Sequence, residues 1–287
     1  MHRSGYGDTT VRIGTPPLLG PALLGAVLAV LVAAPARATT ETASSGAVSA
    51  TLSYTKIDVF HWKDLRLQIT RDGQPAFAGV PGTPQCKVPN CAPVGGIGEG
   101  HSLRVADLDG DGEPEVLVDL YSGGAHCCYW SELLRWTGSA YAKATRNWAD
   151  FGYTLDQSPG GAAPLFVTGD ARFAYEFASF ADSRFPVRIL SFRAGTWRDV
   201  TRAHPDALSS DAARLAKEYR GRRNGRYALG ILAAWVADQY RLGRRAIADR
   251  FVAAELRAGR LKGLPPWPRG RAFVKDLHLR LKAWGYG

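Results

Sequence analysis

The chain has 287 residues, of which 46% are hydrophobic and 22% charged. These are the proportions of a globular protein and exclude a fibrous or wholly disordered chain. Lys and Arg number 36 against 26 Asp and Glu, a formal net charge of +10, which favours anionic partners without specifying a fold.

The first 38 residues read as an export leader. Arg3 and Arg12 lie in a polar opening segment, an apolar run from Leu18 to Ala34 follows, and Ala36-Arg37-Ala38 supplies the small residues of a cleavage site. Pro16, Pro17 and Pro21 make the run a poor permanent membrane helix. Cleavage after Ala38 places the mature chain outside the cytoplasm, secreted or in the periplasm or cell envelope. The longest later apolar run, Tyr227 to Ala237, has 11 residues, too few to cross a bilayer, so no transmembrane segment is expected after cleavage.

Residues 39–47, TTETASSGA, are polar enough to read as a disordered tether. From 48 to 204 the pattern is that of an antiparallel β domain. Short β-branched and aromatic runs such as LRLQIT, SLRVAD, EVLVDLY and PVRILSF are separated by Gly- and Pro-bearing turns. Two stretches are alike: SLRVADLDGDGEPEVLVDLY leading to ELLRWTGSAYAKAT, and PLFVTGDARFAYEFASF leading to RILSFRAGTWRDVT. Each gives a strand, a loop, a strand and a Gly-turn hairpin, the composition of one propeller blade. So few units cannot close a ring, and a partial propeller-like or sandwich sheet is expected.

The strongest chemical signal is VADLDGDGEPEVLV. Asp107, Asp109 and Asp111 alternate, so an extended loop turns their carboxylates to one side. Gly112 stands sixth, where a sharp turn needs a residue without Cβ. Glu113 is seventh, normally a carbonyl donor, and Glu115 ninth. Such a cage of hard oxygens suits Ca²⁺. Two carboxylates 4 Å apart repel by roughly 4 kcal/mol at an effective dielectric near 20, which a cation relieves and which an ion-free loop relieves by splaying into water. Position twelve is Val118 rather than the bidentate Glu of an EF-hand, and Val116-Leu117-Val118 reads as a strand. The loop therefore joins two strands. These residues resemble the FG-GAP or VCBS-type repeats of integrin-like β-propellers, whose loop reads Asp-x-Asp-x-Asp-Gly-x-x-Asp before a strand. The resemblance implies Ca²⁺ held by Asp107, Asp109, Asp111, the carbonyl of Glu113, and Glu115 in place of the last Asp. The second unit keeps only Asp170 of this set.

Export also places Cys86, Cys91, Cys127 and Cys128 in an oxidising compartment, where an even count implies disulfides. Pairing is either local, within each couple, or crossed. Crossing ties the 86–91 loop to the strand bearing 127–128 and is the expected arrangement. The segment SGGAHCC that carries the second couple resembles a run found after such loops in exported bacterial proteins.

After residue 204 the period becomes helical. Ala212, Leu215, Ala216 and Tyr219 form one stripe, Ile247, Phe251 and Ala254 another, and Phe273, Leu277, Leu281 and Trp284 a third. GRYALGILAAWVADQY is apolar almost all round and reads as a central helix. Residues 205–287 form a helical domain with 18 basic and 7 acidic side chains, against 15 and 18 in 39–204, so the whole positive excess of the mature chain is helical. Arg220, Arg222, Arg223 and Arg226, with Arg241, Arg244 and Arg245, form two basic clusters.

The expected class is thus α+β. No Gly-x-Ser-x-Gly elbow, phosphate loop or dinucleotide fingerprint occurs. The expected function is a calcium-binding, non-catalytic binding or scaffolding protein of the envelope. Its partner is an unknown protein or an anionic envelope component. Nucleic acid is not expected, because the chain is exported and carries no nucleic-acid-binding motif. The alternatives are a hydrolase of an envelope polymer and a thiol-redox protein using Cys127-Cys128.

Overall fold

The computed structural model describes residues 37–58, 61–83, 85–86, 91–97, 100–156 and 163–287. The expected leader lies outside these residues except for Arg37 and Ala38. Among the described residues three antiparallel sheets follow one another, none of them closed, and four α-helices come after. The class is α+β, with a β part preceding a helical part.

The first sheet runs in sequence order through β1 (Arg37–Ser45), β2 (Val48–Lys56), β3 (Trp62–Arg71) and β4 (Gln74–Gly79). Residues 39–45, expected in a tether, are instead strand, paired in register with β2 from Thr39 opposite Tyr54 to Ser45 opposite Val48. Composition misled here because backbone pairing does not require apolar side chains. Gly46, at φ 54°, closes the turn, Ala43 packs on the core, and Glu41 is put to structural use. Its carboxylate accepts the Tyr54 hydroxyl at 3.1 Å and the Ser102 and Leu103 amides at 2.6 and 3.2 Å, tying the first sheet to the second.

The second sheet is built on β7 (Glu115–Gly124). β8 (Cys127–Trp136) and β9 (Tyr141–Ala149) lie to one side, β5 (Ala92–Pro93) and β6 (Leu103–Ala106) to the other. β10 (Thr154–Asp156), β11 (Leu165–Gly169), β12 (Val187–Arg193) and β13 (Thr196–Asp199) form the third. The two similar stretches of sequence thus fall in separate sheets. β7 is buried on both faces, which is why Val116-Leu117-Val118 is a continuous apolar run rather than an alternating one. Val116 and Val118 join Leu52, Leu67 and Ile69 of the first sheet in one core cluster. Leu117 joins Leu133, Phe166, Leu190 and Phe192 in another, against the third sheet. At roughly 1.5–3 kcal/mol for each fully buried side chain, this strand is a firm mount for the polar groups at its two ends.

The helices are α1 (Pro205–Arg222), α2 (Leu229–Arg241), α3 (Arg245–Arg257) and α4 (Gly270–Ala283). Pro205 opens α1, where it has no intrahelical N–H bond to forfeit. α2 is buried almost all round, as its composition implies. In α3 the buried face is Ala248, Val252 and Glu255, one residue round from the expected stripe; Ile247 is exposed. The helix can turn a carboxylate inward because Glu255 meets Arg260 at 2.7 Å and the Tyr219 hydroxyl at 2.9 Å. No helix among the described residues is long and apolar enough to cross a membrane.

The expected boundary at 204/205 marks a change of secondary structure inside a single unit, residues 36–287. Phe173 and Phe177, from the segment between β11 and β12, belong to the helical core together with Tyr286, which follows α4.

Candidate functional sites

The loop from Asp107 to Pro114 joins β6 to β7, with Ala106 paired to Glu115. Its two glycines, Gly110 and Gly112, have φ of 80° and 89°, a left-handed conformation that side chains disfavour. Asp107 holds the turn together, its carboxylate accepting the amides of Gly110 at 2.6 Å and Gly112 at 3.1 Å. Glu115 lies beneath, fully buried. Its Oε2 accepts the amides of Leu108 and Asp109 at 2.8 and 3.1 Å, while its Oε1 is buried without a hydrogen-bond partner.

Carboxylate oxygens of Asp107, Asp109 and Glu115 lie within 4.8 Å of one another, a spread that one cation with Ca–O distances of about 2.3–2.6 Å can bridge. Burial, followed by the charges of Asp109, Asp111 and Asp107, pushes Glu115 up to about 8 against the pull of the Leu108 amide. Of the other two expected ligands, Asp111 has its carboxylate engaged, while at Glu113 it is the carboxylate and not the expected carbonyl that is taken. Asp111 meets the Arg135 guanidinium, whose Nε also donates to Asp109 at 2.7 Å, and the Glu113 carboxylate meets Arg71 at 2.5 Å. Arg135, on β8 beside β7, is a third way of relieving the repulsion, one that spacing within the loop does not reveal. Asp109 is fixed further from the third sheet, by the Ala194 amide at 3.1 Å and by Arg193 on its carbonyl at 2.8 Å. A cation here would join the second sheet to the third.

The cysteines pair locally, Cys86 with Cys91 and Cys127 with Cys128, not in the crossed arrangement. The physical reason is position. Cys86 and Cys91 are buried in the core shared by the first and second sheets, whereas Cys127 stands at the tip of the β7–β8 hairpin, opposite Gly124. Non-reducing peptide mapping should therefore return one linked 86–91 pair and one peptide with both 127 and 128 oxidised. A peptide joining the two couples would contradict the structure.

A second polar assembly was not anticipated. Asp119, on β7, lies in a cavity of about 650 Å³ walled by His101, Arg104, Tyr129, Trp148, Asp150 and Tyr153. Its Oδ1 accepts the Ser131 hydroxyl and its Oδ2 the Tyr153 hydroxyl at 2.7 Å. The Trp148 indole N–H in turn donates to Ser131 at 2.7 Å. Burial pushes Asp119 up to about 6, moderated by the two hydroxyls and Arg104. A carboxyl in that range exchanges its proton near neutral pH. The available signal was Asp119, a charged residue among the apolar residues of VLVDL; its partners come from β8, β9 and the following loop, too far along the chain for spacing to show.

No family model and no solved structure matches the chain. An alignment of 160 positions at 29% identity relates it to a probable thylakoid lumen protein of Synechocystis sp., covering 49% of this chain and 44% of that protein. The match thus spans less than half of that relative.

Proposed function

We propose that this chain is an exported, calcium-binding protein of the periplasm or cell envelope that binds or scaffolds rather than catalyses. The observation that carries the calcium reading is Glu115 Oε1, a buried acceptor without a partner beside two further carboxylates. An unpaired buried carboxylate oxygen is costly, and a divalent cation satisfies it. Asp107, Asp109 and Glu115 would hold the ion. Asp111 would join them by exchanging Arg135 for it. Export is supported by the leader and by the relative whose name places it in the thylakoid lumen.

The test is a pair of thermal melts. Ca²⁺ at a hundredfold excess over its Kd should stabilise the chain by about 2.7 kcal/mol, and Asp107→Ala with Asp109→Ala should remove the gain. Coincident melts in EDTA and in millimolar calcium would rule the site out.

A second reading, hydrolysis of an envelope polymer, is favoured by one observation: the Asp119 carboxyl in an aromatic-walled cleft. It requires release of soluble fragments from wall material by the wild type and its loss in Asp119→Asn. No release by the wild type leaves the binding reading standing.

A further inference from the structure

Of the arginines that converge in space, Arg241 alone belongs to a cluster in sequence. Arg241 of the second expected cluster has a side chain only 7% exposed. It lies 4.3 Å from the centre of the Tyr286 ring and donates to the Val187 carbonyl at 2.9 Å. It forms part of a groove between β12 and the residues after α4. One cavity there, of about 540 Å³, is lined by Arg172, Arg188, Arg202 and Arg241. A second, of about 240 Å³, is lined by Arg146, Arg172 and Arg188 and bordered by Cys127 and Cys128. Arg172 and Arg188 line both, so the cavities adjoin. Five guanidiniums face two carboxylates, Asp170 and Asp199.

These two carboxylates do not exhaust the donors. Asp170 is taken by Arg172 and the Tyr286 hydroxyl, and Asp199 by Arg188 at 2.8 Å and Arg241 at 3.5 Å. Arg188 uses only its Nε, and both of its terminal nitrogens lack a partner among the described residues. Arg202 reaches only backbone carbonyls, of Arg241, Gly285 and Tyr286. Arg146 lies over the Trp148 ring at 5.6 Å, and its buried Nε has no hydrogen-bond partner among the described residues. Burial, then the charge of Arg188, pulls Arg146 below the usual guanidinium range, and the charges of Asp199 and Asp170 oppose this without overcoming it.

We propose that this groove binds phosphate groups, on a compound or polymer carrying at least two of them. Arg146 and Arg202 mark the two ends, one in each cavity, and Arg188 lies between them with free donors. Guanidinium forks match the oxygens of a phosphate in paired hydrogen bonds, and two adjoining cavities take two such groups better than one. The proposal gives the anionic envelope partner a chemistry and a place. It rests on the binding reading above but shares no residue with the calcium loop.

The test is calorimetric titration of inorganic pyrophosphate into the full mature chain in calcium-free buffer at low salt. Saturable binding should weaken at least tenfold in Arg146→Gln with Arg202→Gln, a variant that must melt with the wild type for the result to count. Arg146→Lys with Arg202→Lys keeps the charge and guards against a folding artefact; it should bind with intermediate affinity. Arg222→Gln with Arg223→Gln, outside the groove, should bind as the wild type does. Vesicles of cardiolipin, a lipid with two phosphates per molecule, distinguish the sources: co-sedimentation lost in the groove variant assigns the phosphates to lipid, and pyrophosphate binding without co-sedimentation assigns them to a soluble or polymer-borne compound. No binding of either probe at millimolar concentration, or equal affinity in wild type and groove variant, overturns the proposal. The calcium melts are unaffected by either outcome, so the two readings fail separately.

Discussion

Replacing Tyr286 with Ala should destabilise the whole protein by about 3–5 kcal/mol, the usual cost of emptying a buried aromatic site. The ring is fully buried, stands edge-on to Phe173 at 5.8 Å and lies under the Arg241 guanidinium. Its hydroxyl donates to Asp170 at 2.7 Å, and Asp170 lies just past β11, before Phe173 and Phe177 enter the helical core. Arg172 adds a bond to the Trp284 carbonyl at 3.1 Å. Tyr286 therefore fastens the helical part to the β part. Tyr286→Phe keeps the packing and loses one hydrogen bond, at a cost of about 1 kcal/mol, because Arg172 still pairs with Asp170. Calorimetry should show one transition in the wild type, moved down by roughly 10 °C in Tyr286→Ala and by much less in Tyr286→Phe. Two transitions in the wild type would mean that the helices fold independently of the sheets.

The same residues show what sequence reveals and what it hides. Strand and helix periods are local, so the β part, the central helix and the α4 stripe of Phe273, Leu277 and Leu281 were legible. The loop motif was legible for the same reason: the turn at Gly112 and the convergence of Asp107, Asp109 and Glu115 depend on nine consecutive residues. Arg135 was not, since it reaches Asp109 from 26 residues away through strand pairing. The tether was misread because β1 takes its order from β2 rather than from its own polar side chains. Net charge by segment pointed to the helices, yet four of the five arginines in the groove, Arg146, Arg172, Arg188 and Arg202, come from the β part. Ion pairs such as Arg184 with Glu218 and Arg260 with Glu255 tie individual guanidiniums to the fold without changing the net charge. What counts for an anion is the local surplus.

Asp238→Asn should stabilise the protein at neutral pH, against the usual direction for a core substitution. Asp238 sits in α2, fully buried, and neither of its oxygens accepts a hydrogen bond from a described residue. Burial, then the charge of Asp211 and a hydrogen bond to it, pushes Asp238 up to about 9; Arg241 and Arg214 oppose this without overcoming it. The folded chain thus holds a proton at pH 7 that the unfolded chain releases near pH 4. Stability from this group is fully present below the unfolded value and declines as pH rises toward about 9, by 1.36 kcal/mol per unit. Asn keeps the size and the neutral charge, can donate to Asp211 in place of the acid proton, and has no proton to lose. Denaturant unfolding of the two proteins should differ least near pH 4.5, and the difference should grow by about 4 kcal/mol in favour of Asn by pH 7.5. Groups held below their usual range, such as Asp170, Asp199 and Glu218, act in the opposite direction but equally in both proteins, and cancel in the difference. Parallel stability curves from pH 4.5 to 7.5 would show that Asp238 is ionised in the core. The nearby guanidiniums of Arg241 and Arg214 would then have to neutralise it, and Asn would be destabilising at every pH.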